Sequence, residues 1–189
     1  MKRSIAAPVV LALLVTLGAT HVDAKEIEGV RFAEEVRAGT ATLRLNDVGL
    51  MRYRYVIKAY VAGLYLGDGG RPDAVLADTA KRLEIHYFYV IAADGFAKAT
   101  EQGIAANVGA ATVAKLRSQI DRLNALYKDV KPGDRYALTY LPGVGTELAL
   151  NGTSLGTIEG ADFAAAVFAI WLGPNAIDQS LRTQLLGRS

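Results

Sequence analysis

Three features of this 189-residue chain predict an α+β fold in which one large antiparallel sheet carries its helices on a single face. The strand-like stretches form two blocks separated by a helix hairpin, with two further helices at the end. That order lacks the regular strand–helix alternation that builds parallel sheets. Asn151-Gly152, flanked by Thr146–Leu150 and Thr153–Ile158, is the strongest short hairpin signal a sequence offers, so these neighbours run antiparallel. Asp162–Leu172 is a helical stretch apolar almost all round, with Phe163, Val167, Ile170 and Trp171 aligned, and needs a sheet to bury it.

In chain order, residues 1–24 read as a leader rather than as part of the fold. Lys2 and Arg3 form a positive start, Ile5–Leu17 an apolar stretch, and Val22-Asp23-Ala24 a small-residue cleavage pattern before Lys25. The apolar stretch is short of the roughly 20 residues of a spanning helix. The expected product is one exported domain, Lys25–Ser189, periplasmic or secreted, with no stable membrane span after cleavage.

Glu26–Phe32 and Ala41–Leu45 read as short strands, and Asn46-Asp47 as a turn. Leu50–Leu66 then reads as one unusually long strand, rich in tyrosine and β-branched residues, with a bend expected near Gly63. In straight register Arg52, Arg54, Val56, Lys58 and Tyr60 share one face, which predicts a polar floor beside water or a cleft. Gly67–Pro72 is a loop and Asp73–Ala77 a short helix.

Lys81–Val90 is a strand with Leu83, Ile85, Tyr87 and Tyr89 on one face and Glu84, His86, Phe88 and Val90 on the other. His86 is expected to be a hydrogen-bonded core residue. Asp94 is a cap for a helix over about Gly95–Val108, and Ala111–Tyr127 is a second helix with Val113, Leu116, Ile120, Leu123 and Tyr127 at helical spacing. Lys131–Asp134 is a turn and Arg135–Leu141 a strand. Gly143-Val144-Gly145 has neither a third glycine nor a following helix, so it is a turn and not a phosphate loop. Asn175 and Asp178 are caps for a last helix carrying Ile177, Leu181 and Leu185, which Gly187 stops.

Composition excludes several classes of function. The chain has no cysteine, hence no disulfide, thiol nucleophile or thiolate metal site. Beyond the leader His86 is the only histidine, so no metal site needing two histidines can form within one chain. The charges nearly balance, and no basic run interleaved with aromatics suggests nucleic acid. No cofactor is expected.

Several stretches, in order and suitably spaced, resemble the bacterial chalcone isomerase-like family. They are Asn46–Leu50 leading to Lys58–Leu66, Pro142–Gly145, Asn151-Gly152, Leu155-Gly156, Ala169–Gly173 and Leu185–Gly187. The likeness spans roughly Gly29–Gly187. It implies an open-faced β-sandwich with a ligand cleft between sheet and helices. In the cyclising enzymes that the family resembles, an arginine holds the reacting oxygen among two threonines, a tyrosine and an asparagine. By that resemblance Tyr60 occupies the first threonine place, Phe96 and Gly103 the tyrosine and asparagine places, and Ile170 the second threonine place. Arg52 corresponds to the arginine, with Arg54 as the alternative.

Loss of those hydroxyl and amide donors leaves a guanidinium and a phenol on an apolar cleft. The expected ligand is then a fatty-acid-like or other apolar carboxylate, held by an arginine fork and a tyrosine. The leading expectation is a non-catalytic binder with Arg52 or Arg54, Tyr60, Phe96 and Ile170 at the ligand. An isomerase acting on a chalcone-like substrate through Arg52 is the first alternative, and a structural or interaction module of the cell envelope the second.

Overall fold

A computed structural model describes residues 24–54 and 56–188, with Tyr53 described by its backbone alone. The predicted leader falls outside these residues except for Ala24. Strands β1 (Ala24–Ile27) and β2 (Val30–Ala33) form a hairpin closed by Glu28 and Gly29, both with positive φ. β3 (Glu35–Ala38), β4 (Ala41–Tyr53), β5 (Ile57–Leu66), β6 (Lys81–Tyr87), β7 (Arg135–Leu141), β8 (Gly145–Leu150) and β9 (Thr153–Ile158) form one sheet in sequence order. Every pairing in it is antiparallel. Between β6 and β7 lie α1 (Ala93–Asn107), α2 (Ala110–Lys115) and α3 (Arg117–Leu126); α4 (Ala161–Leu172) and α5 (Gln179–Leu185) follow β9.

The long strand predicted over Leu50–Leu66 is in fact two strands folded on each other. The chain reverses between Tyr53 and Ile57, which pair with each other, Arg54 taking a left-handed φ of 49°, and Met51 then pairs with Tyr60 and Arg52 with Lys58. No glycine, asparagine or proline marks this reversal, which is why the run looked continuous. Asn46-Asp47 is no turn: it is an irregularity inside β4, where the register skips between Leu45 and Asp47. Gly63 bends nothing. It pairs in regular register with Val48 and Glu84, and a Cβ there would lie 2.7 Å from Phe32. The glycine lets β2 pack onto the outer face of the sheet.

The two faces of β5 divide the core. Tyr60, Ala62, Leu64 and Leu66 join the main cluster with Leu83, Ile85 and Tyr87 of β6, Ile120 and Leu123 of α3, and Phe163, Val167 and Ile170 of α4. Val61 joins Val30, Phe32 and Val48 in a smaller cluster under the β1–β2 hairpin. Helices therefore cover one face and a single hairpin part of the other, and the fold is an open-faced sandwich. In α4, Phe163, Phe168, Ile170 and Leu172 are fully buried, each worth roughly 1.5–3 kcal/mol of apolar transfer.

Smaller corrections concern helix ends. The second helix of the hairpin breaks at Leu116 (φ −91°, ψ 3°), whose side chain is buried, leaving α2 and α3 as separate pieces. Asp94 sits within the first turn of α1, and the free Ala93 N–H at that end is satisfied instead by Asp129 at 2.9 Å. Of the two residues predicted to cap α5, Asp178 does so, accepting from Leu181 N at 2.7 Å. Asn175 ties down the other end of α1, its side-chain amide donating to Ala106 O and its backbone N–H donating to Asn107 Oδ1. β6 ends at Tyr87, so Tyr89 and Val90 lie beyond it, exposed. His86 is half-buried on the outer face, edge-on to Phe88, and makes no hydrogen bond among the described residues. Its pKa is lowered, first by burial and then by Arg135. The predicted helix over Asp73–Ala77 is a single 3-10 turn, Pro72–Ala74.

Candidate functional site

Between the helix-facing side of the sheet and helices α1, α3 and α4 lies a cavity of about 180 Å³. Alternation along β6 sends Leu83, Ile85 and Tyr87 into it, while Tyr60 of β5, Tyr136 and Leu138 of β7 and Leu148 of β8 complete the sheet wall. The opposite wall is Phe96, Ala99 and Thr100 from α1, Tyr127 just after α3, and Ile170 and Trp171 from α4. Gly95 and Ile91 line it beside exposed Ile177, which marks its solvent side.

The aromatic side chains brace one another. Tyr87 stands edge-on to Tyr60, Phe96 and Tyr136, with ring centroids 5.4–6.0 Å apart, and Phe96 stacks on Tyr127 at 5.4 Å. Such pairs add about 0.5–1.5 kcal/mol each beyond area burial, so the wall is stiff.

Its polar atoms are few and uncharged. Trp171 Nε1 donates to Tyr60 Oη at 3.2 Å, and Thr100 Oγ1 and Tyr127 Oη share a bond of 2.7 Å. Tyr136 Oη donates to Lys128 O and accepts from Lys128 N, both at 2.8 Å. The Tyr87 hydroxyl has no hydrogen-bond partner among the described residues, although the side chain is 4% exposed. Among the described residues, no Asp, Glu, Lys, Arg or His lines this cavity.

The phenols are held neutral. Burial pushes Tyr60 and Tyr87 far above the ordinary tyrosine range, with Asp178 adding at Tyr60 and the other tyrosines adding at Tyr87. Burial also raises Tyr127, to about 12, and Tyr136. None of these groups can exchange a proton readily near neutrality, where efficient general acid–base groups have their pKa values.

The structure brings Tyr60, Phe96 and Ile170 together on this cavity. It places the two arginines elsewhere. Arg52 is on β4, not on the strand of Tyr60, and its guanidinium lies 3.8 Å from Glu28, which also binds Lys58. Arg54 is exposed in the β4–β5 turn. Neither lines the cavity. The shared face of Arg52 and Tyr60 followed from reading a hairpin as one strand, and it disappears with the reversal. Gly103 is tight against Ile170: a Cβ there would meet Ile170 Cγ1 and Cγ2 at 2.9 Å, so α1 and α4 approach closely because the residue is glycine.

Sequence reasoning did not single out Tyr87, Thr100, Tyr127, Tyr136 or Trp171 as ligand-facing. A signal was present for three of them. Tyr87 shares the apolar face of its strand with Leu83 and Ile85, and Tyr127 closes the apolar stripe of its helix. Tyr136 alternates with Leu138 and Tyr140. Tyrosines on inward faces of three separate elements are phenols that converge.

The family model described as chalcone isomerase-like matches residues 24–187. Among solved structures, the chain is similar to the crystal structure of a fatty-acid binding protein from Arabidopsis thaliana, with a TM-score of 0.67 and 14% identity. That match covers 87% of this chain and 96% of the other. At this identity the likeness is one of fold. No curated protein matches the chain.

Proposed function

The chain belongs to the chalcone isomerase-like family, and from that premise we propose that it is a non-catalytic binder carrying one apolar, fatty-chain molecule in the cavity between sheet and helices. The observation that carries this reading is the wall itself: aliphatic and aromatic, braced by ring contacts, and free of ionisable groups that titrate near neutrality. A concave apolar site with a few fixed polar atoms is the common form of a small-molecule site. The similar fold of a protein that binds fatty acids supports the reading by analogy.

Cyclisation of a chalcone needs charge stabilised on an enone oxygen and a phenolate brought to the alkene. The lining residues include no arginine or lysine for that oxygen and no base to generate the phenolate. This supports binding over turnover. The leader-like pattern of residues 1–24 supports work outside the cytoplasm. Amino-terminal sequencing of protein from the native host is expected to begin at Lys25, and a retained Met1 would refute export with cleavage.

The direct test is native mass spectrometry of the purified protein, with organic extraction of any bound species, beside Ala99→Phe. Ala99 lines the cavity on α1, and a phenyl group there is expected to occupy much of it. A stoichiometric apolar adduct in the natural protein, absent from folded Ala99→Phe, is expected. Equal retention by both proteins would place the ligand elsewhere. Turnover of a chalcone panel above the buffer rate, lost in Ala99→Phe, would replace binding by catalysis.

A further inference from the structure

We propose that the molecule carried here bears an uncharged carbonyl, seated on the hydroxyls of Tyr87 and Tyr60, and is not bound as an ionised carboxylate. This rests on the binder reading above and specifies its ligand.

Two phenolic protons on the wall lack acceptors. Tyr87 makes no hydrogen bond through its hydroxyl among the described residues. Tyr60 accepts from Trp171 Nε1, but its own proton has no acceptor among those residues. Their ring centroids are 5.8 Å apart, and both side chains are more than nine-tenths buried. The Tyr87 hydroxyl is not itself sealed off, so it opens onto the cavity, where a guest can reach it. A carbonyl oxygen supplies two lone pairs, one for each donor. By contrast Tyr136 is satisfied by Lys128, and Tyr127 and Thr100 bond each other, which leaves one proton of that pair undonated as well. Tyr60 and Tyr87, whose rings are in contact on paired strands, are the neighbouring pair of unspent phenols.

Charge argues in the same direction. A carboxylate buried without a cation loses far more hydration than two neutral hydrogen bonds restore. Among the described residues no cation lines this cavity, and Arg52 is directed to Glu28. The ionisable groups on the wall are Tyr60, Tyr87, Tyr127 and Tyr136, all raised and therefore neutral. The charges that influence them from nearby elements are Asp178, Asp129 and Asp134, all acidic. They repel an anion.

The test uses the full purified protein, stripped of bound lipid, in equilibrium dialysis at about pH 8, where a fatty acid is ionised. Three probes of equal carbon number are compared: 2-tridecanone, tridecanoate and tridecane. The ketone is expected to bind on the order of a hundredfold more tightly than tridecanoate. Tyr87→Phe is expected to lower ketone affinity about fivefold to tenfold, the worth of one neutral hydrogen bond, while leaving tridecane unchanged. Tyr60→Phe, a second variant that keeps the ring packing, is expected to act likewise.

Tridecanoate binding as tightly as the ketone, or a ketone-to-alkane affinity ratio that neither variant alters, would overturn the carbonyl assignment while leaving an apolar binder standing. Failure of all three probes, tridecane included, would overturn the binder reading and this inference with it.

Discussion

Alkaline pH is expected to unfold this protein through its buried tyrosines. Six of the nine tyrosines in the chain, Tyr60, Tyr65, Tyr87, Tyr127, Tyr136 and Tyr140, have pKa values raised above 10, burial being the first cause at each. An unfolded chain loses these protons near pH 10 while the folded chain keeps them, so the folded state holds more protons and stability falls as pH rises. At about pH 11 each fully buried phenol that stays protonated costs the fold roughly 1.4 kcal/mol. Tyr60, Tyr65 and Tyr87, all buried, together then remove about 4 kcal/mol, and Tyr127, Tyr136 and Tyr140 add to that loss. Domain stabilities are about 5–15 kcal/mol, so cooperative unfolding is expected near pH 11. The assay is a pH titration that follows tyrosinate absorbance and far-ultraviolet circular dichroism together. The buried tyrosines should ionise only as secondary structure is lost, and Tyr87→Phe should soften the loss by about one tyrosine's share. Ionisation of all nine near pH 10 with secondary structure intact would refute the reasoning.

Three further outcomes are expected. Lys81 is buried, donates to Ala77 O and Thr79 O, and has its pKa lowered to about 8, chiefly by burial. Between about pH 8 and 10 the unfolded chain holds the proton that the folded one has lost, so denaturant stability should rise by roughly 1–3 kcal/mol, and Lys81→Met should flatten that rise. A flat profile in the natural protein would contradict it. Glu84 is buried on the outer face between Arg82, at 2.8 Å, and Arg135. Glu84→Ala should cost about 2–3 kcal/mol in urea denaturation, and a loss below about 0.5 kcal/mol would show the network to be dispensable. Gly103→Ala should destabilise by about 1–3 kcal/mol, because crowding against Ile170 exceeds the gain of about 0.5–1 kcal/mol in helix propensity; adding Ile170→Ala should relieve part of the loss. Equal or greater stability of the single variant would disprove close α1–α4 contact.

The large architecture was legible because periodicity and turn chemistry are local. Asn151-Gly152, the apolar run Asp162–Leu172 and the alternation of Leu83, Ile85 and Tyr87 each encode their own element, and the structure contains all three. The β4–β5 reversal was not legible. It falls between the paired Tyr53 and Ile57, a stretch without glycine or proline, and Arg54 holds its left-handed backbone because the strands on either side pair. That one omission displaced the arginines. A single-strand reading puts Arg52 on the face of Tyr60, whereas the hairpin places it on the neighbouring strand near Glu28. Phe96 and Ile170 line the cavity from helices that were read correctly, and Tyr60 lines it because its alternation with Ala62 and Leu64 holds on the second strand of the misread hairpin. The uncharged character of the cavity is a property of six elements meeting, and no local pattern carries it.

The chain has one tryptophan, and the fold sets it on the cavity wall with its indole nitrogen bonded to Tyr60. Indole fluorescence is sensitive to the polarity of its surroundings, and no other indole in this protein dilutes the signal. Displacement of water by an apolar guest shifts the emission to the blue. Excitation of the neighbouring phenols also feeds Trp171 by energy transfer, so rearrangement of the tyrosine wall alters the ratio of the two excitation bands. Occupancy of this cavity can therefore be followed in the unlabelled protein.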